Sequence, residues 1–165
     1  LPTLPHIEAE VREAAATWST RLDESLATLG VERVDAYYVM AVNHAGLVAS
    51  DEILAAFTRA RDAGKVGHLG LSTHENQQQV LEAALGTGAY SLAMIGLTPA
   101  GWYDLPQKAP HPESASLVEL APFLDRLRAG GIGLIGMKAG RYLAGSWLPG
   151  TSRPAAFDAP TAAAG

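Results

Sequence analysis

The hydrophobic positions of this chain switch repeatedly between helical and strand spacing. From about residue 6 to residue 29, apolar side chains recur at steps of three and four, which predicts one helix that ends at Gly30. The next apolar run, residues 34–40, is short and rich in β-branched and aromatic side chains, as in a strand buried on both faces. The pattern therefore predicts a helix followed by a buried strand.

Three more helices are predicted from apolar stripes and from the residues that bound them. Ser50 or Asp51 is placed to cap the first of these, and Ser72 or Thr73 to cap the second. The first of these helices ends at Ala63, just before Gly64. The other two end at Gly86-Thr87-Gly88 and at Gly130-Gly131. Glycine at such positions is typical of helix C-termini.

Three further strands are predicted at residues 66–71, 91–97 and 132–137. Residues 98–116 form a loop that is too long for a simple connection. Strands separated by helices imply right-handed crossovers and a parallel sheet of about four strands. Two architectures satisfy this order, an open doubly wound sheet and part of a closed (β/α)8 barrel. No Gly-x-Gly-x-x-Gly follows the first strand, which argues against a dinucleotide-binding open sheet.

The predicted folded domain covers residues 1–144. Residues 145–165 are rich in proline, glycine and alanine and show no amphipathic period, so we expect a loosely ordered C-terminal tail. The chain begins at Leu1 and not at a methionine, which favours a processed, trimmed or partial product.

Composition narrows the function classes. The net charge of −5 comes from residues of both signs scattered along the chain, which argues against a nucleic-acid partner. No apolar stretch reaches the roughly 18 residues of a membrane span. The absence of cysteine excludes disulfides, thiolate chemistry and cysteine-ligated metal centres. No targeting segment is recognisable, so a cytoplasmic location is the default expectation.

Three ordered segments resemble the aldo/keto reductase family. Ser25 to Asp35 resembles the "SLxxLGxxxVD" entry to the fourth barrel strand of that family, and Gly64 to Ser72 resembles the "GKVxxxGxS" of the fifth. Gly131 to Lys138 is similar to the "GIGVIAMK" of the seventh strand in one branch. Together they cover roughly residues 20 to 143. The resemblance implies a partial (β/α)8 TIM barrel, the central portion of an NADP-dependent oxidoreductase.

The resemblance also implies a catalytic deficit. Members of the family reduce carbonyl groups with a hydride from NADPH, and a tyrosine supplies the proton while a lysine, an aspartate and a histidine tune it. The first three belong to strands that precede this segment in the family. The histidine stands at the end of the fourth strand, where this chain has Met40. A thioether cannot relay a proton.

The family's cofactor-binding positions are matched in this sequence better than its catalytic positions. Ser72 matches the family serine that hydrogen-bonds the nicotinamide carboxamide, and Thr73 stands where many members have asparagine. Met94 occupies the position of a glutamine that contacts the same amide. Met137 falls where a ring often stacks on the nicotinamide, and Lys138 would lie near the pyrophosphate. The expected cofactor is NADP(H), and the expected substrate is a small carbonyl compound.

Other candidates carry weaker signals. His44 and His74 follow strand ends, the face where barrel chemistry gathers, and are weak candidates for a substitute acid. Loop histidines are common without such a role, so no metal site is predicted. Trp102 and Tyr103 either wall a substrate pocket or pack locally.

Two functions remain open at this stage. The first is an NAD(P)H-dependent reductase, incomplete in this chain, and the second is a non-catalytic ligand-binding or interaction remnant of the same fold. Four parallel strands leave two unpaired edges, so self-association through the exposed barrel edges is also expected.

Overall fold

The computed structural model describes residues 5–138, with side chains from residue 11 onward. The predicted tail, residues 145–165, and the predicted domain boundary at residue 144 lie outside the described residues.

The first helix and strand form as the hydrophobic pattern predicts. Helix α1 (Pro5–Leu29) is followed by strand β1 (Val34–Val39). Gly30 adopts a positive φ of 66°, the left-handed conformation that commonly ends a helix. The apolar stripe of α1 enters the core, where its buried members are Val11, Ala15, Trp18, Leu22 and Leu26.

Two helices follow β1. The one-turn helix α2 (Ala45–Val48) was not predicted, because four residues are too few to show a period. Helix α3 (Asp51–Asp62) begins as predicted, with the Ser50 hydroxyl accepting a hydrogen bond from the Ile53 N–H at 3.4 Å. The cap at Ser50 is therefore confirmed.

The predicted cap at Ser72 or Thr73 is wrong. Both residues lie in strand β2 (Val66–Thr73), which is two residues longer than predicted. Helix α4 (Gln77–Thr87) starts only after Asn76, which has a positive φ of 50° and makes no side-chain cap. The extension arises from long-range pairing, because Ser72 and Thr73 are in register with Met94 and Ile95 of the next strand.

The long loop contains structure that the sequence pattern did not predict. Strand β3 (Tyr90–Thr98) turns back into the antiparallel strand β4 (Gly101–Asp104), which pairs with the two-residue strand β5 (Ala109–Pro110). Helix α5 (Leu117–Ala129) and strand β6 (Gly133–Met137) then complete the described chain. The prediction of about four strands thus accounts for the parallel strands and omits the β4–β5 hairpin.

The parallel strands lie in the order β1, β2, β3, β6, with neighbouring pairs in parallel register. The described residues form a mixed α/β fold around an open, mostly parallel sheet. This confirms the α/β class, and the open sheet by itself does not establish a partial barrel. None of the helices in this part of the chain combines the length and the apolar character that crossing a membrane requires.

The two faces of the parallel sheet differ in burial. Alternate residues point to opposite faces, and one face is covered by helices and almost fully buried. Its members include Val39, Leu71, Ala93 and Ile95, none more than 7% exposed. The other face, which we call the open face, carries Tyr38, Met40, Leu92, Met94, Ile135 and Met137. All six of these side chains are partly or largely exposed.

Candidate functional site

Four predicted site residues lie at the carboxyl ends of the parallel strands on the open face. They are Met40, Ser72, Met94 and Met137. Ser72 pairs in register with Met94, and Gly96, two residues further along β3, pairs with Met137. Met40 follows the last residue of β1. Carboxyl ends of parallel strands are where α/β proteins assemble their sites, because several loops meet there. All three methionines of the chain therefore lie at this edge of the sheet, and Met40 and Met94 are neighbours of Ser72.

Met40 covers Ser72. The Ser72 hydroxyl donates a long hydrogen bond to the Met40 thioether, with an Oγ to Sδ distance of 3.7 Å, and accepts one from the Ala41 N–H at 2.8 Å. Ser72 is only 1% exposed, whereas Met40 is 67% exposed. An external amide could reach the Ser72 hydroxyl only after the methionine side chain swings aside, which its exposure leaves it free to do.

Thr73 lies on the opposite face from the other candidates. Its side chain is fully buried, and its hydroxyl donates to the Glu75 carbonyl at 2.9 Å. Its register partner, Ile95, is a core residue of the helix-covered face. The structure therefore gives the Thr73 side chain a role in turning the chain towards α4, and places it apart from Ser72.

The loop after β1 is held to the end of β2 by Asn43, a residue that sequence reasoning missed. Its side-chain oxygen accepts hydrogen bonds from the His74 and Glu75 N–H groups at 3.3 and 3.2 Å. The Asn76 amide donates to the Asn43 carbonyl at 2.9 Å. The only signal was the position of an asparagine in a strand-end loop, where such side chains bridge backbone groups.

The two candidate histidines differ in surroundings. His44 is exposed, and its Nδ1 accepts a hydrogen bond from the Gly46 N–H at 3.0 Å, so it caps α2. His74 is half-buried, and its Nδ1 is buried with no hydrogen-bond partner among the described residues. Burial lowers the pKa of His74, the positive charge of Lys138 lowers it further, and Glu75 opposes both. The neutral imidazole is therefore favoured.

Lys138 follows β6 at the same edge of the sheet. It has a positive φ of 73° and is half-buried. Its positive charge is one of the causes that lower the pKa of His74. Lys138 is thus a positive charge at the rim of the open face, close to the end of the strand that carries Met137.

Trp102 and Tyr103 mainly pack locally. Trp102 is 8% exposed and meets the Phe123 ring of α5 edge-on at 6.4 Å, and Tyr103 is 1% exposed. Trp102 also lines a cavity of about 810 Å³ between the hairpin and the start of α4. The cavity wall also carries His74 and several carboxylates. The packing of Trp102 is thus observed, and a substrate at this cavity stays a prediction.

No cluster of three or more histidine, aspartate or glutamate side chains suited to a metal ion occurs among the described side chains, residues 11–138. The open face instead offers thioethers, one serine hydroxyl and a cation at its rim. Such a surface can hold a flat, amide-bearing ring next to an anionic group, since thioethers make favourable contacts with rings.

Comparison with known proteins gives one clear result. Among curated proteins, none matches the chain. A sequence model described as the Aldo/keto reductase family matches residues 7–97, more than half of the 165 residues. This stretch runs from the first turn of α1 through α4 and most of β3, and so includes Met40, Ser72 and Met94. A match to a reductase family indicates an oxidoreductase in general terms. The chain belongs to the aldo/keto reductase family.

Proposed function

We propose that this chain forms part of an NAD(P)H-dependent reductase of small carbonyl compounds, and that the open face receives the nicotinamide end of the cofactor. The observation that carries the proposal is the convergence of Ser72, Met94 and Met137 at the carboxyl edge of one sheet face. Lys138 follows at the rim, where a cation would meet a phosphate. When bound, the cofactor supplies a hydride to the carbonyl carbon.

The residues fit the cofactor in part. The thioethers of Met94 and Met137 are partly exposed and offer a flexible apolar floor for a ring. The Ser72 hydroxyl already accepts from the Ala41 N–H, so it retains one lone pair and one proton for a carboxamide. Using that proton breaks only the weak bond to Met40. Thr73 contributes no side-chain contact in this arrangement, because its hydroxyl is buried on the other face.

A non-catalytic ligand-binding module is the second candidate, and Met40 favours it. A thioether neither donates nor accepts the proton that carbonyl reduction requires. A measurement of NADPH consumption with an aromatic aldehyde separates the two candidates. Turnover by the unaltered chain supports the reductase, whereas saturable NADPH binding without turnover, in the unaltered chain and in Met40→His alike, supports the module.

The cofactor proposal is tested by NMR of methionine methyl groups, since all three methionines lie on the open face. NADP⁺ and nicotinamide mononucleotide should shift the Met94 and Met137 methyl resonances in a saturable way. A matched ligand without nicotinamide, 2′-phospho-ADP-ribose, should leave them in place. Equal shifts with all three ligands, or no shift with any, contradict the placement.

Ser72→Ala should weaken the effect of nicotinamide mononucleotide, because it removes the hydroxyl proposed to bind the carboxamide. Ser91→Ala is the matched control. Its hydroxyl lies near the amino end of β3, within 3.2 Å of the His68 ring, and is far from the carboxyl edge. Binding that is equally strong in both variants would remove Ser72 from the site.

A further inference from the structure

The cavity between the β4–β5 hairpin and the start of α4 is separate from the proposed cofactor site. Its walls come from the loop after β2, from α4, and from the hairpin with the segment that follows it. Met40, Ser72, Met94 and Met137 are not part of these walls. The volume of about 810 Å³ lies in the range of small-molecule sites. The cavity is therefore a second concave site, formed by internal segments of the chain.

The wall of this cavity is acidic. It carries four carboxylates, those of Glu75, Glu82, Asp104 and Glu113. Among the described residues that line it, none is a lysine or an arginine. A cleft lined by one sign of charge concentrates ligands of the opposite sign. The charge of the wall therefore favours a cationic ligand.

One carboxylate on each side of the cavity has no partner within the protein. On the α4 side, Glu82 pairs with Arg126 at 2.9 Å, whereas the Glu75 carboxylate has no hydrogen-bond or ion-pair partner among the described residues. On the hairpin side, Asp104 accepts a hydrogen bond from a backbone N–H of the turn at 3.0 Å. The Glu113 carboxylate has no such bond within the described part of the chain. Two separated negative charges are thus available to a ligand.

Gln77 supplies an acceptor to the cavity independently of these charges. Its side chain lines the cavity and is only 9% exposed. The amide nitrogen donates to the His74 and Tyr103 carbonyls, at 3.0 and 3.3 Å, which uses both of its protons. The amide oxygen has no donor among the described residues, and a largely buried acceptor without a donor costs free energy. A ligand N–H would satisfy this oxygen.

The arrangement of these groups suits an elongated cation better than a metal ion. Among the described side chains, no three carboxylates or imidazoles stand close enough to hold a metal ion. The negative charges are instead distributed over two walls. Trp102 adds an aromatic surface, and tryptophan is the aromatic side chain that attracts organic cations most strongly. A ligand with two cationic ends and an apolar middle matches all of these features.

We propose that this cavity binds a linear aliphatic diamine or polyamine. One ammonium group pairs with Glu75 and donates to the Gln77 oxygen, and the other pairs with Glu113. The methylene chain between them contacts Trp102. An ammonium group has three donors and no acceptor, which suits a wall rich in acceptors. The inference goes beyond the proposed function and does not depend on it, because the residues that carry it lie outside the proposed cofactor site.

NMR titration of the whole chain tests the proposal without any cofactor. Cadaverine, a five-carbon diamine, and spermidine should shift the Trp102 indole N–H and the Gln77 side-chain amide resonances in a saturable way. The five-carbon diol with terminal hydroxyls should leave both in place, because it lacks the charges. Pentylamine, with one ammonium group, should bind more weakly than cadaverine. No shift with either amine, equal shifts with the diol or with Mg²⁺, or equal affinity for pentylamine and cadaverine overturns the proposal.

Two charge-removing variants locate the site. Glu75→Gln and Glu113→Gln should each raise the Kd for cadaverine by about threefold to fivefold, since each removes one solvent-accessible ion pair. Both side chains are exposed, so neither change removes a packing contact of the core. Glu32→Gln is the matched control, because it removes the same charge from an exposed position just before the amino end of β1. Equal weakening in all three variants, or none in the first two, overturns the assignment of the cavity.

Discussion

The two faces of the sheet show what the sequence uses to build the fold and what it leaves for other purposes. On the helix-covered face, Leu71, Ala93 and Ile95 are each at most 1% exposed and pack under α3, α4 and α5. On the open face, Ser72 contacts the exposed Met40, and Met94 pairs in register with Ser72. Neighbouring residues of one strand thus serve different purposes.

Because alternate residues of a strand point to opposite faces, one set of side chains stabilises the fold and the other set is available for binding. Burial of the covered face supplies the apolar free energy of folding, at roughly 25 cal/mol per Å². The open face carries polarisable thioethers, which adapt to what they contact. Changes on the covered face should therefore alter the free energy of unfolding, and changes on the open face should alter binding or association.

The sharpest test compares Ile95→Ala with Met94→Ala. The first should lower the free energy of unfolding by about 2–5 kcal/mol, since it leaves a cavity in a packed core. The second should cost about 1 kcal/mol or less in dilute protein, because its side chain is partly exposed and buries less surface. Urea unfolding followed by circular dichroism measures both, at a concentration where the chain is monomeric. Equal losses would mean that the open face is covered within one molecule.

Most of the helices and strands could be predicted, because their signals are local. The stripe of α1, the Ser50 cap and the glycines after α1, α3, α4 and α5 act within one or two turns of the chain. The end of β2 could not be found in this way. Ser72 and Thr73 have the side chains of helix caps, and pairing with β3, more than twenty residues away, holds them in the sheet instead.

The hairpin in the long loop was missed for a related reason. Its pairing of Leu97 with Trp102 depends on a tight turn, in which Gly101 has a positive φ of 112°. A Cβ at Gly101 would collide with the Ala115 carbonyl, so glycine is required there. The Pro99-Ala100-Gly101 sequence between two apolar runs was a usable signal for this turn.

The candidate site was predicted from resemblance and could have been refined by alternation alone. Ser72 and Thr73 are adjacent in a strand, so they point to opposite faces, and only one of them can share a surface with Met94. The covering of Ser72 by Met40 was beyond sequence reasoning. It depends on the conformation of a flexible side chain on a different strand.

A pair of tyrosines gives an effect of intermediate size. The Tyr90 hydroxyl is buried and donates to the Val48 carbonyl at 3.0 Å, and burial raises its pKa. Tyr90→Phe should lower the free energy of unfolding by about 1 kcal/mol, since that carbonyl loses its donor. The Tyr103 hydroxyl is buried without a partner among the described residues.

Tyr103→Phe should accordingly be neutral or stabilising by up to about 1 kcal/mol, because it removes an unpaired polar group. The same urea titrations measure both variants, and each serves as the control for the other. A loss in Tyr103→Phe as large as that in Tyr90→Phe would show that the Tyr103 hydroxyl has a hydrogen-bond partner.

The smallest expected effect concerns the pH dependence of His74. The pKa of His74 in the folded chain lies below the ordinary value near 6.5. Between these two pKa values, the His74 ring binds more protons in the unfolded chain than in the folded chain. The contribution of His74 to the free energy of unfolding is therefore fully present at pH values above its pKa in the unfolded chain. It is lost as the pH falls through its pKa in the folded chain. NMR titration of the His74 ring reports the pKa directly. Lys138→Met should raise the pKa partway, because burial remains the larger cause, and Glu75→Gln should lower it. If the His74 pKa is the same in Lys138→Met as in the unaltered chain, the Lys138 charge does not act at His74, and its placement at the rim of the open face is contradicted.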